Sequence, residues 1–61
     1  MMIKGLTKVQ LVVRQLIDGS ISFHVEPYPD DSWKLTVEKD RLWRLEAIIV
    51  GVEAGMRASG G

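Results

Sequence analysis

Apolar positions are most regularly spaced in the last third of the chain. Leu42, Leu45, Ile49, Val52 and Met56 recur at intervals of three and four residues, the rhythm of a helix with one apolar seam. A second set, Trp43, Ala47, Val50 and Ala54, lies roughly a third of a turn away, with Glu46, Glu53 and Arg57 as a narrow polar strip between the two. The pattern predicts a helix over 41–57, about 25 Å long at ~1.5 Å per residue. Asp40 is its expected N-cap, and residues 58–61 and 1–5 are expected to be flexible ends. This helix has two surfaces to bury.

The middle of the chain has the period of β structure. Ile21, Phe23 and Val25 alternate with Ser22, His24 and Glu26, and Trp33, Leu35 and Val37 alternate with Lys34, Thr36 and Glu38. Between the two runs lies Pro27-Tyr28-Pro29-Asp30-Asp31, a turn-forming composition. Strands over 21–25 and 33–37 in an antiparallel hairpin follow. A symmetric register pairs Val25 with Trp33, Phe23 with Leu35 and Ile21 with Val37. All six apolar side chains then share one face, and His24 meets Lys34 on the other.

Residues 7–18 have two readings. As a helix, Leu6, Val9, Val12, Val13, Leu16 and Ile17 fall on one arc of about 140° at ~100° per residue. Lys8, Gln10, Arg14, Gln15 and Asp18 fill the rest, leaving Leu11 misplaced. Thr7 and Gln10 fit a capping box, a Leu6–Leu11 staple would account for the stray leucine, and Gly19 stands where a left-handed C-terminal cap belongs. As a strand, Val9, Leu11, Val13 and Ile17 alternate, with Asp18-Gly19 as a turn, but Val12 and Leu16 point the wrong way. The helix is the preferred reading. The predicted class is α+β, a helix–β-hairpin–helix (αββα) that dimerises. The alternative is a three-stranded antiparallel sheet followed by a C-terminal helix (βββα). An αββα order with an apolar last helix is similar to that of gas-vesicle shell proteins, but the hairpin's Pro27, Pro29 and acidic loop match no shell motif, so the resemblance implies nothing about residue roles.

Composition sharpens the expectation of self-association. At 61 residues the chain makes one small domain, yet 46% of it is hydrophobic and the mean hydropathy is +0.06. A domain this short leaves much apolar surface uncovered, so a homo-oligomer or a larger protein partner is expected to cover it. Net charge is zero, with eight basic and eight acidic residues, which lacks the basic excess of a nucleic-acid binder. There is no cysteine, so disulfides and thiolate metal sites are excluded. No secretory signal or membrane-length apolar run is evident, and a cytoplasmic location is the default expectation.

Candidate chemistry is sparse. His24 is the lone histidine, and catalysis would need a nucleophile, an orienting acid and an oxyanion hole beside it. Glu26, Asp30 and Asp31 lack the regular oxygen spacing and closing glutamate of a calcium loop, and Asp18-Gly19-Ser20 lacks the context of a phosphate loop. No catalytic residue, metal ligand or cofactor is assigned, and the chain is expected not to be an enzyme. The polar hairpin face offers a nucleic-acid alternative through His24, Lys34 and Thr36, joined by Arg14 if 7–18 is a strand; Glu26 and Glu38 oppose it.

The more specific signal is the flank Trp43, Ala47, Val50, Gly51, Ala54 and Gly55. Gly51-x-x-x-Gly55 has the spacing that lets two helix backbones approach closely. Glycine inside a helix costs roughly 1 kcal/mol against alanine, so two of them suggest a steric requirement. Either a subunit interface imposes it, or the glycines clear space for Trp33 or Trp43 within the chain. The expected function is a small non-enzymatic interaction module: a homo-oligomeric accessory, regulatory or inhibitor protein of the sort phages and plasmids often encode. A sheet-face DNA or RNA regulator and a structural self-assembly protein are the alternatives.

Overall fold

Residues 1–59 are described by the structure, a computed structural model. The elements run β1 (Met2–Lys4), α1 (Leu6–Asp18), β2 (Phe23–Pro27), β3 (Ser32–Val37), a 3₁₀ turn (Lys39–Arg41) and α2 (Leu42–Ser59). The class is α+β. The strands form one antiparallel sheet in the order β1-β3-β2, and both helices supply buried residues to the core on the face that carries Ile3 and Leu35.

The N-terminal segment corrects the expectation of a flexible end. Met2, Ile3 and Lys4 pair with Lys34, Trp33 and Ser32, and the Leu35 amide donates to the Met1 carbonyl at 2.7 Å. Ile3, 3% exposed, is driven into the core. Three residues are too few to display a period, so this strand left no pattern in the sequence. Residues 7–18 are helical, and the three-stranded antiparallel sheet of the alternative also forms, but its third strand is β1; the order is βαββα, neither the expected αββα nor βββα. Gas-vesicle shell order falls with the αββα order, because a strand precedes α1.

The ends of α1 depart from the expected caps. The N-cap is Gly5 (φ 98°), with no side-chain cap bond, and its amide donates to the Asp31 carbonyl at 3.1 Å. Glycine is needed there because an L side chain is strained at that φ. Thr7 therefore lies inside the helix and the capping box does not form. At the other end Gly19 has φ −87°, and the left-handed residue is Ser20 (φ 55°). The Ile21 amide donates to the Leu16 carbonyl at 2.9 Å and the Ser20 amide to the Ile17 carbonyl at 3.0 Å. These are the two bonds of a Schellman motif displaced one residue beyond the glycine, with Leu16 and Ile21 both buried beside it.

The hairpin forms with its register moved by two. Phe23 pairs with Val37, Val25 with Leu35 and Pro27 with Trp33, while His24 meets Thr36 and Glu26 meets Lys34. The Tyr28 amide donates to the Ser32 carbonyl at 2.9 Å, and Asp31 takes φ 65°, closing the loop later than the proline punctuation suggests. A two-residue shift preserves the faces, because the side-chain period is two. Ile21 lies outside β2 yet is 6% exposed. Pro27 ends an edge strand, where its missing N–H breaks no ladder bond.

Asp40 is not the cap of α2. The 3₁₀ turn starts the helix earlier, with Glu38 at the N-cap and no side-chain bond. Asp40 lies instead within the 3₁₀ turn ahead of α2. At the far end Ala58 and Ser59 continue the helix, against the expected tail; the other two residues of that tail, Gly60 and Gly61, lie outside the described residues. Leu45 (0% exposed), Ile49 and Val52 bury the inner face of α2. Lys8 of α1 reaches Glu53 of α2 at 3.4 Å.

Candidate interaction surface

The outer side of α2 is an uncovered apolar surface. Trp43 is 62% and Val50 67% exposed, and Ala47, Gly51, Ala54 and Gly55 are exposed with them. At ~100° per residue this set centres about 170° from the buried seam, further round than a third of a turn. The two apolar faces are thus nearly opposite, and folding covers one of them. Beyond Val52 no described side chain of α2 is buried.

The glycines do not make room inside the chain. A Cβ built on Gly51 or on Gly55 meets nothing within 4 Å. Trp33 packs against the core from β3, and Trp43 points outward, so neither tryptophan lies over them. The internal-packing reading of the glycine pair is overturned. A shallow cleft of about 400 Å³ instead opens beside them, between α1 and α2, lined by Leu11, Gln15, Gly51, Val52, Gly55 and Met56. The misplaced Leu11 of α1 is one of its walls.

Charged groups frame this surface. The Arg44 guanidinium lies 5.6 Å from the centre of the Trp43 ring, within cation–π range. Asp40, Glu46 and Arg57 are exposed, and the ion pair found among the described residues, Lys8–Glu53, involves none of them.

The nucleic-acid candidates are only partly brought together. His24, Lys34 and Thr36 share the solvent face of the sheet, but Glu26 is the direct neighbour of Lys34, and Arg14 lies apart on α1. The sequence reading missed Met2 and Lys4, which β1 adds to that face. It also missed a shallow cleft of about 460 Å³ along α1, lined by Val9, Gln10, Val13, Arg14, Ile17 and Asp18. Ile17, placed by periodicity in the buried arc, is 62% exposed; its position at the rim of that arc was the available signal.

Among the described residues, no group of three or more His, Asp or Glu side chains is placed to hold a metal ion. No helix among them is long and apolar enough to cross a membrane. In comparison with known proteins, no protein-family model matches this chain, nor does any curated protein or solved structure.

Proposed function

We propose that this chain is a non-catalytic protein–protein interaction module that self-associates through the outer face of α2 and acts, as a homodimer, on a larger protein as an accessory, regulatory or inhibitory subunit. The observation that carries the reading is the exposure of Trp43 and Val50 on a helix whose opposite face already fills the core. Tryptophan is among the residue types enriched as energetic anchors of protein interfaces. Among the described residues, no further element covers Trp43 or Val50.

Sedimentation velocity across a hundredfold concentration range tests the reading. A dimer is expected, and Gly51→Leu is expected to shift it to monomer without loss of helical circular dichroism. A monomer at every concentration would reject self-association. Particles far larger than a dimer would favour a structural assembly protein. The sheet-face nucleic-acid alternative predicts salt-sensitive retardation of a DNA probe that weakens in Lys34→Ala.

A further inference from the structure

We draw no further inference here: the strongest candidate, the shallow cleft along α1 lined by Val9, Val13 and the exposed Ile17, is an open apolar groove, and nothing in the structure shows what covers it.

Discussion

The two helices share one core and treat their outer surfaces differently. In α1, Val9, Val12 and Leu16 are buried along one line, the exposed Leu6 and Ile17 border that line, and Lys8, Gln10, Arg14, Gln15 and Asp18 occupy most of the remainder beside the exposed Leu11. In α2, Leu45, Ile49 and Val52 are buried while Trp43 and Val50 stand in solvent on the far side. The first helix is amphipathic; the second is apolar on two opposed faces. A helix needs one apolar stripe to join a core, so the inner face of α2 accounts for the fold and leaves the outer face unexplained by it. That outer face is the one the proposed self-association would cover.

The sharpest way to separate the two faces is to cut into each. Leu45→Ala removes a fully buried side chain and is expected to cost about 2–5 kcal/mol. A core of this size rarely supplies more than ~3–5 kcal/mol, so urea denaturation should find that variant largely unfolded. Val50→Glu strikes the same helix from outside. It should abolish the dimer in sedimentation while shifting the stability of the monomer by no more than about 0.5 kcal/mol, as surface changes usually do. If Val50→Glu unfolded the chain as Leu45→Ala does, the outer face would belong to the fold after all.

Smaller effects sharpen the contrast at the ends of α1. Ser20→Gly relieves an L residue at φ 55° and should raise the denaturation midpoint. The gain should be below ~1 kcal/mol, because the left-handed penalty of roughly 1–2 kcal/mol is offset by the greater freedom of unfolded glycine. Least of all should be Lys8→Met. The Lys8–Glu53 pair ties α1 to α2 at the surface, with side chains 24% and 42% exposed, and exposed pairs contribute about 0.2–1 kcal/mol. That difference should vanish in high salt, measured by the same denaturation.

The elements with long periods are legible in the residues themselves. α1, the hairpin and α2 follow from apolar spacing, and so does the sharing of one sheet face by Phe23, Val25, Trp33, Leu35 and Val37. The hairpin register is not, because two registers two residues apart bury the same side chains and the loop decides between them. The caps differ where backbone geometry overrides side-chain preference: Gly5 and Ser20 take positive φ, whereas Gly19, the expected left-handed residue, does not. For the candidate surface, the residues of the outer face of α2 are legible, but their spacing alone divides their meaning between subunit contact and internal packing.

The sequence by itself determined which residues are apolar and at what period they recur, and hence two helices, a hairpin and a last helix with more apolar surface than one core needs. Tertiary structure decided what no local pattern carries. It gave Ile3 a partner in β3 and so a third strand, it split the sheet-face cations by placing Arg14 on a helix, and it left open space over Gly51 and Gly55. The physical reason is that periodicity records how a segment meets an interface, whereas long-range packing alone determines which interface it meets and which face remains for another molecule.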